Sequence, residues 1–543
     1  MRRQLLQQII LALIALITGE TVLSQTPQMV KDIQPGTGSG AYADIVVANN
    51  LMFFAADDGV SGIELWKSDG TENGTMLLKD IREGLGSSFI EKMTVLGDRV
   101  YFTANDAVKG VEIWMSDGTE AGTKILKDIR EGSNTSNPSD LTVIGDWLYF
   151  NATTSFGSEL WRTNGTPEGT GMIKDINPSG DAYPYHFTGI NNEVLFSASE
   201  GTKGSELWKT NGTPEGTVLV KDINPGPGDG YLFKGIAIDD SILWFKATDG
   251  VHGNELWRSN GTTEGTYMIK DIYPGEMGSD PHEFVGAGDY IYFVANDGVH
   301  GPEVWRSDGT GEGTQMIIDL YPGNSSFYPP GNLVSGIVDG ADFLIWQGFA
   351  DNVAGEELYI SDGTASGTKL VADIYPGGLS SDVKFIYNAG GTFYFPATDG
   401  TNGYELWKSD GTTPGTVLVA DIYPGSGSSS PRYFAEYNGA LYFNAANDTH
   451  GYEFWKLNIT TSINTIFQKN SLVKIYPNPV TDRITVSIDA DELNLIEIYN
   501  STGRRVYQNK PYQNPYSISV SGYKPGLYAV KINGIYTEKL VVK

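Results

Sequence analysis

The residues whose type and spacing could support chemistry are histidines and aspartates that recur along the chain. His252, His300 and His450 occupy one position of a repeated loop. The same loop carries the pattern Asp-Gly-x-x-Gly-x-Glu, which begins at Asp58, Asp249, Asp297 and Asp399. Imidazole and carboxylate groups bind metal ions and polar ligands, so these positions are the first candidates for a site.

The four aspartates Asp58, Asp249, Asp297 and Asp399 are candidate calcium ligands. Repeated hard oxygens in an acidic protein could hold Ca²⁺. Each loop, however, offers two carboxylates, whereas the ion prefers about six or more oxygens. Asp followed by Gly is also an ordinary turn former. The sequence therefore leaves a calcium site and a plain turn as alternatives, and it makes no cofactor certain.

The elements that must position these residues come from a repeat of about 48 residues. The segment GIELWKSDGTENGTMLLKDI at 62–81 recurs as GVEIWMSDGTEAGTKILKDI at 110–129 and GYELWKSDGTTPGTVLVADI at 403–422. The aromatic residue of its Glu-apolar-aromatic core falls at Trp66, Trp114, Trp161, Trp208, Trp257, Trp305, Tyr359, Trp407 and Trp455. The chain thus contains nine copies.

Each copy predicts four antiparallel strands. In the second copy these are 91–96, 99–104, 111–115 and 123–129, and Gly97-Asp98 makes a two-residue hairpin turn. Four strands at this period are typical of a propeller blade, and the middle of the chain shows no sustained 3.6-residue period. A stacked β-solenoid is the alternative architecture.

The ends of the array favour a closed ring. The array begins with a lone fourth strand at 29–33 and ends with a third strand at 451–457. In a ring the N-terminal strand completes the last blade and leaves no exposed edge, whereas a solenoid has no use for that offset. The sequence therefore predicts an all-β propeller over 25–458, with nine blades, or with eight if the aberrant seventh unit is merged or lost.

A variable position supplies the candidate ligand-binding residues. Eleven residues after the Asp of each Lys-Asp-Ile element the copies carry Glu91, Ser139, His186, Phe233, His282, Pro330, Lys384 and Arg432. This position precedes the innermost strand, so in a propeller it lies near the mouth of the central channel. We interpret His186, His282, Lys384 and Arg432 as parts of a binding ring, with surface variation as the alternative.

The seventh copy departs most from the pattern. It is longer by six residues, has Tyr359 in place of Trp, and carries Trp346 in an aromatic segment. Trp346 joins the candidate ligand-binding residues, because a ligand could mark the place where the symmetry breaks. Drift of one copy is the alternative.

The repeated tryptophans are expected to pack between blades. Glu112 and Trp114 share one face of a third strand, and both faces of a blade are covered by its neighbours. Sugar stacking is the alternative, but a residue that the geometry requires nine times is poor evidence for a site used once.

The two ends differ from the middle. Arg2 and Arg3, the apolar run 9–17 and the small residue Ser24 predict a secretory signal peptide over 1–24. A membrane anchor is the alternative, although the run is shorter than the ~20 residues that a span needs. Residues 459–471 have the composition of a linker to a small domain at 472–543.

Composition and charge exclude several classes of protein. A hydrophobic content of 40% supports a large core, and the absence of cysteine excludes a disulfide scaffold. The formal charge of −29 divides into +1 on 1–24, −33 on 25–471 and +3 on 472–543. Nucleic-acid binding depends on basic residues that neutralise phosphates, so we expect no nucleic-acid partner.

The repeats resemble the ELWxxDGT repeat of secreted bacterial proteins over about 29–457, and they resemble propeller blades. The turn Ser-Asp-Gly-Thr-x-x-Gly-Thr is similar to the Asp-box of sialidases, which in that family is structural rather than catalytic. The resemblance implies an exported propeller.

The C-terminal 72 residues resemble the type A sorting domain of the type IX (Por) secretion system of Bacteroidetes. The matching residues include Pro477, Asn478, Pro479, Gly503, Gly526 and Tyr528. The resemblance implies a small β-sandwich that the type IX machinery reads at the outer membrane and usually removes. The passenger is then secreted or held at the outer cell surface, and no transmembrane segment is expected in the mature chain.

The sequence contains no nucleophile elbow, phosphate loop or cysteine-based site. The leading interpretation is a non-enzymatic binding or adhesion scaffold whose glycan or surface-protein ligand meets the channel-mouth face. The alternative is a carbohydrate-active hydrolase or lyase on the same fold. An enzyme needs a cluster of unique residues that breaks the ninefold pattern, so the arrangement of unique residues discriminates between the two.

Overall fold

The computed structural model describes residues 26–230, 233, 235–238, 240–323, 330–338, 341–349, 355–459, 473–476, 480–488, 495–500, 505–509, 515–524, 526–532 and 536–542. Every regular element in these ranges is a β-strand. The chain divides into two compact units: the first ends at Ile459, and the second comprises the residues after it together with the short segment Ile337–Ala341. The predicted signal peptide at 1–24, most of the predicted linker at 459–471, and the sorting residues Pro477, Asn478, Pro479 and Gly503 lie outside the described residues.

The first unit begins with strand β1 (Gln28–Lys31) and continues with strands in groups of four. The first four groups are β2–β5 (Val46–Ala48, Leu51–Asp57, Ile63–Ser68, Met76–Lys79), β6–β9 (Glu91–Leu96, Arg99–Asn105, Val111–Ser116, Lys124–Lys127), β10–β13 (Ser139–Ile144, Trp147–Thr154, Gly157–Thr163, Gly171–Lys174) and β14–β17 (Tyr185–Ile190, Glu193–Ser199, Ser205–Thr210, Val218–Lys221). The next four are β18–β21 (Ile236–Ile238, Ile242–Ala247, Glu255–Ser259, Tyr267–Lys270), β22–β25 (His282–Ala287, Tyr290–Asn296, Pro302–Ser307, Gln315–Met316), β26–β29 (Gly331–Val338, Ala341–Phe349, Glu356–Ser361, Lys369–Ala372) and β30–β33 (Tyr387–Ala389, Thr392–Ala397, Glu405–Ser409, Val417–Ala420). Three strands, β34–β36 (Arg432–Tyr437, Ala440–Ala445, Glu453–Asn458), end the unit.

Each group of four forms one sheet with its strands in sequence order, numbered here sheet 1 to sheet 8. Sheet 9 has the order β1-β36-β35-β34, so the N-terminal strand supplies its fourth strand. Met29 pairs antiparallel with Trp455, as expected for the lone strand at 29–33. The described part of this unit therefore contains nine four-stranded sheets, and each is all antiparallel where its register is defined.

Neighbouring sheets pack on each other, and sheet 9 packs on sheet 1. Phe53 of sheet 1 shares a core with Trp114 of sheet 2. Tyr437 of sheet 9 shares a core with Phe54 of sheet 1, and its hydroxyl donates to the Asn50 carbonyl at 2.6 Å. The tryptophans of the repeat are mostly buried in these inter-sheet cores, in agreement with the packing role predicted for them.

The first strand of each sheet lies beside the first strand of the next, and we call these the inner strands. Contacts join β2 with β6, β6 with β10, β10 with β14, β14 with β18, and β18 with β22. Leu333 of β26 donates its backbone N–H to Glu283 of β22 at 3.0 Å. The rings of Tyr387 in β30 and Phe434 in β34 are 6.0 Å apart, and β34 contacts β2. The variable positions at the start of the inner strands thus share one side of the unit.

A buried glutamate anchors every sheet, which the sequence analysis did not anticipate. The carboxylate of Glu64 accepts backbone N–H bonds from Ile81 at 2.8 Å and Arg82 at 3.4 Å. These two residues follow the fourth strand and lead to the next sheet. The repeated glutamates are all buried: Glu64, Glu112, Glu159, Glu206, Glu255, Glu303, Glu357, Glu405 and Glu453. In sheet 9 the donors to Glu453 come from the N-terminal segment, where Ile33 donates at 2.8 Å.

The turn between third and fourth strands is held by side-chain hydrogen bonds. Asp69 accepts bonds from the hydroxyl and the backbone N–H of Thr71 at 2.7 and 2.9 Å, which hold the pKa of this carboxyl below its ordinary value. Gly70 has φ +88°, and a Cβ there would lie 2.2 Å from the Tyr442 hydroxyl of sheet 9. The turn is therefore structural, and glycine allows the neighbouring sheet to approach it.

The second unit contains two sheets around one core. Strands β37 (Val473–Tyr476), β38 (Arg483–Ile488) and β41 (Tyr516–Ser519) form one sheet, and β39 (Ile496–Tyr499), β40 (Arg505–Asn509), β42 (Gly526–Ile532) and β43 (Tyr536–Val542) form the other. Ile484, Ile518, Ile496 and Val530 pack together from both sheets. Gly526 and Tyr528 lie on β42, and the Tyr528 hydroxyl donates to the Lys524 carbonyl at 2.9 Å.

Loss of β1 should destabilise the whole first unit, because the deletion removes a paired strand and two of the backbone N–H donors of Glu453, those of Ile33 and Gln34. We expect a chain without residues 26–34 to unfold at a lower temperature, measured by differential scanning calorimetry of the full-length protein. The exposed substitution Gln28→Ala is the control and should leave the transition where it is. Unchanged melting of the deletion variant would show that strand exchange between the chain ends does not hold the unit together.

Acidification from pH 8 to pH 5.5 should stabilise the protein. Burial raises the pKa of Glu64, Glu159 and Glu453 to about 7 and that of Glu206 to about 8. A carboxyl whose pKa is higher in the folded state binds protons on folding, so its contribution is present at low pH and is lost as the pH rises through 7 to 8. We expect the midpoint of thermal unfolding to rise by a few degrees across this interval.

The Glu206→Gln substitution tests the origin of that pH dependence. Glutamine cannot ionise, so the slope of the unfolding midpoint against pH should be smaller in this variant. Glu120 is exposed, and Glu120→Gln should keep the wild-type slope. A midpoint that falls on acidification to pH 5.5, or an unchanged slope in Glu206→Gln, would contradict the assignment.

Candidate ligand-binding site

The loop aspartates cap their own loops. Asp249 Oδ1 accepts backbone N–H bonds from Val251 and His252 at 2.9 Å, and its Oδ2 lies 2.7 Å from His252 Nδ1. This hydrogen bond raises the pKa of His252. Equivalent caps occur at Asp58, Asp297 and Asp399. Within the described ranges no group of three or more His, Asp or Glu side chains is arranged to hold a metal ion, and the calcium role of these residues stays a prediction.

Two of the predicted binding residues, His186 and His282, come together. They line one cleft of about 450 Å³ with Phe233, Lys246 and Glu283, and we call it the three-sheet cleft because sheets 4, 5 and 6 contribute to it. The structure thus brings the two histidines into one site although 96 residues separate them.

Phe233 is the centre of the three-sheet cleft. Its side chain is 42% exposed, and the Lys246 Nζ lies 3.9 Å from its ring centroid. The His186 ring is 6.3 Å from that centroid, at an interplanar angle of 29°. The cleft therefore offers a partly exposed aromatic ring beside an imidazole and an ammonium group, a combination that can contact both apolar and polar groups of one ligand.

Lys246 is held in place by an ion pair. It is only 8% exposed, and its Nζ lies 2.8 Å from Asp280 Oδ1. The carbonyl of Asp280 in turn lies 2.8 Å from His282 Nδ1. Asp280 therefore fixes both Lys246 and His282, so the polar groups of the cleft are oriented without a ligand.

The inner strand of sheet 5 is shorter than those of sheets 4 and 6. Strand β18 has three residues, whereas β14 and β22 have six each. The registers of β14 and β22 shift at their starts, and His186 has φ +65° there. A β-bulge therefore orients His186 in β14 and His282 in β22. A second cleft of about 450 Å³ shares Ile236 and Phe284 with the first and continues along the inner strands.

Lys246 was missed by the sequence analysis, although a signal was present. The second strands end in two aromatic or apolar residues, one variable residue and a small residue. The variable residues are Ala55, Thr103, Asn151, Ser197, Lys246, Val294, Gln347, Pro396 and Asn444. Lys246 is the one charged residue in this set, which an alignment of the copies at this column would have exposed.

Lys384 and Arg432 lie in sheets 8 and 9, away from the three-sheet cleft in the order of the repeats. Lys384 Nζ is 2.6 Å from Asp382 Oδ2, which also accepts a hydrogen bond from the Tyr404 hydroxyl. Burial, and then this bond, raise the pKa of Tyr404. The Arg432 guanidinium lies 3.9 Å from the Tyr452 ring centroid. Each cation thus accompanies a tyrosine that directly precedes the buried glutamate of its sheet.

Trp346 lies in the core rather than at a channel mouth. It is fully buried between sheets 6 and 7, and its ring stacks on Tyr359 at 6.1 Å. It offers no surface to a ligand in this structure. The departures in the seventh copy therefore repack the core at this point, because Trp346 fills space beside the smaller Tyr359.

Comparison with known proteins assigns the C-terminal segment. Residues 474–543 match the family described as the secretion system C-terminal sorting domain. This domain marks proteins that the type IX system delivers to the cell surface or the extracellular space, so the protein is exported by that route. No helix in the described ranges is long and apolar enough to cross a membrane.

The remaining similarities are partial or distant. The chain is 28% identical over 88 residues to an ulvan lyase of Nonlabens ulvanivorans, which is 15% of this chain and 16% of the lyase. A GH74 enzyme of Niastella koreensis is 10% identical with a TM-score of 0.31, covering 95% of this chain and 92% of that one. A prolyl endopeptidase is 11% identical with a TM-score of 0.39, covering 84% of this chain and 55% of that one. The two structural similarities are too low to bear on the site.

Proposed function

We propose that the protein is an exported, non-enzymatic binding scaffold: a closed nine-bladed propeller of ELWxxDGT repeats that binds a saccharide in the three-sheet cleft and serves adhesion at the cell surface. The observation that carries this proposal is the convergence of His186, Phe233, Lys246 and His282 from three repeats on one cleft. Their variability among the copies fits a site that is used once on a symmetric support.

The chemistry of the cleft favours a saccharide. The exposed Phe233 ring can receive the apolar face of a sugar, while the imidazoles and the Lys246 ammonium can bond its hydroxyl or acidic groups. Such a pairing of one aromatic platform with a few fixed polar groups is typical of small-ligand sites. A surface protein that presents a similar group is the second class of ligand.

A hydrolase or lyase on the same fold is the alternative, and the partial similarity to an ulvan lyase favours it. The matched segment is about a sixth of that enzyme, so its activity does not transfer to this chain. The carboxylates at the cleft are also engaged: Asp280 pairs with Lys246, and Glu283 accepts the Leu333 N–H. This arrangement supports binding over acid–base catalysis.

Substitutions in the three-sheet cleft should weaken saccharide binding. A glycan array with the full-length protein identifies the ligand, and titration calorimetry then compares variants. We expect the Kd of Phe233→Ala and of Lys246→Met to rise about tenfold, since an aromatic contact and a hydrogen bond to a charged group each contribute roughly 1 kcal/mol or more. Lys124→Met, at an exposed lysine, is the control.

The same material decides between binding and catalysis. Incubation with each polysaccharide that binds should release no new reducing or unsaturated ends. Release of either product by the wild type, and its loss in a cleft variant, would replace the scaffold by the enzyme.

Removal of the C-terminal domain should trap the protein in the periplasm, because the type IX machinery then has no sorting signal to read. The measurement compares the full-length chain with a chain that ends at residue 471, by fractionation and surface protease accessibility. The exposed substitution Arg483→Gln is the control for a change within the domain that keeps its core. Efficient surface display of the shortened chain would refute the role of this domain.

A further inference from the structure

Sheet 9 holds polar groups that have no partner. Asn444 is 1% exposed, and among the described residues neither its Oδ1 nor its Nδ2 has a hydrogen-bond partner. Arg432 pairs with Asn444 across the inner two strands of the sheet, and its buried Nε is also unpartnered within the described ranges. An unbonded buried amide costs roughly 1–3 kcal/mol, and a polar group of a ligand that bonded to it would recover that cost.

An asparagine at the position of Asn444 does have a hydrogen-bond partner in another sheet, so the repeat itself does not leave this amide unbonded. Asn151 occupies the Asn444 position in sheet 3, and its Oδ1 accepts a hydrogen bond from the Ser158 hydroxyl at 2.6 Å. Ser158 precedes the buried glutamate of its sheet, and the residue at that place in sheet 9 is Tyr452. The exchange of serine for tyrosine removes the partner of the amide and places an aromatic ring beside Arg432.

The Arg432 guanidinium is held by aromatic rings rather than by a carboxylate. Its Cζ lies 3.9 Å from the Tyr452 ring centroid and 5.3 Å from that of Tyr433. Within the described residues it forms no ion pair, although the chain carries a formal charge of −29. Tyr433 has φ +59° and lies in a bulge at the start of β34.

These groups match an anionic sugar. A guanidinium binds a carboxylate or a sulfate through a fork of N–H donors, and the Asn444 amide can add a donor to the same oxygens. The rings of Tyr433 and Tyr452 supply the apolar contact that a sugar ring requires. Lys384 with Tyr404 in sheet 8 differs, because Asp382 already neutralises that cation.

We propose that Arg432, Asn444, Tyr433 and Tyr452 form a recognition site in sheet 9 for a saccharide that bears a carboxylate or a sulfate. The proposal rests on saccharide binding as the proposed function, but it concerns a different sheet from the three-sheet cleft. The two sites would read one acidic polymer at separate places on the inner-strand side of the unit.

The experiment titrates the full-length protein with four probes: an oligogalacturonate, a sulfated dextran oligosaccharide, a neutral dextran oligosaccharide of equal length, and inorganic sulfate. We expect one or both acidic saccharides to bind more tightly than neutral dextran and inorganic sulfate. Arg432→Lys keeps the charge but loses the fork, and should weaken this binding about tenfold. Arg432→Gln and Asn444→Ala should weaken it further or equally.

Arg82→Gln is the matched control, since the Arg82 guanidinium also lies near an aromatic ring, Phe89, but donates to the Ser87 carbonyl. It should bind like the wild type. Thermal unfolding of each variant checks the fold, and Arg432→Lys keeps the test valid if Arg432→Gln does not fold.

Several results would overturn the inference: equal binding of neutral and acidic saccharides, binding of inorganic sulfate as tight as that of the saccharides, or wild-type affinity in Arg432→Lys and Asn444→Ala. If Lys246→Met lost binding while the Arg432 variants bound like the wild type, the proposed site in sheet 9 would be overturned and the proposal for the three-sheet cleft would stand. The opposite pattern would support this site and count against the cleft.

Discussion

The hydrogen bonds from backbone N–H groups to the buried glutamate of each third strand are the interaction on which the first unit depends. They connect the third strand to the segment that leaves the fourth strand for the next sheet. Buried N–H groups are costly without an acceptor, and no strand partner is available where the chain leaves a sheet. The carboxylate supplies that acceptor, and the tryptophan that packs between sheets stands two residues after it in the same strand. One short motif therefore sets both the packing between sheets and the direction in which the chain leaves each sheet. The glutamate thus fixes the segment that follows each fourth strand. That segment leads to the next inner strand, so it positions this strand and the variable residue at its start.

In this repeated unit, the residues that hold the sheets together are different from the residues that we propose for ligand binding. The glutamate, the tryptophan and the side-chain bonds of the turn are the same in nearly every copy and are buried or locally satisfied. The residues at the start of the inner strands and near the end of the second strands differ among the copies. The two binding sites that we propose, the three-sheet cleft and the site in sheet 9, lie where two or three such residues meet.

Much of the architecture could be predicted from spacing alone. The array begins with a lone fourth strand at 29–33 and ends with a third strand, which predicted that the N-terminal strand completes the last sheet. The spacing of the repeated aromatic residue predicted the number of sheets. The glutamate and the Lys-Asp-Ile element both recur in the sequence, but their hydrogen bond was not predicted, since the donors lie 17 and 18 residues from the glutamate. The place of Lys246 in the cleft and the burial of Trp346 both depend on contacts between sheets. The sequence of a single copy does not reveal such contacts. The start of an inner strand could be placed in sequence, but which of these starts share a cleft depends on how sheets 4, 5 and 6 pack.

The exchange of β1 into sheet 9 also constrains how the protein reaches its destination. Ile33 and Glu453, which bond to each other, are 420 residues apart in the chain. Such a contact is among the most non-local that a single unit can make, and non-local contacts form late because loop closure must precede them. Until β34–β36 are available, β1 has no partner strand, and the face of sheet 1 that packs on sheet 9 is uncovered. Sheet 9 can therefore form only when β1 and β34–β36 are both present, so a chain truncated before β34 leaves β1 without a sheet.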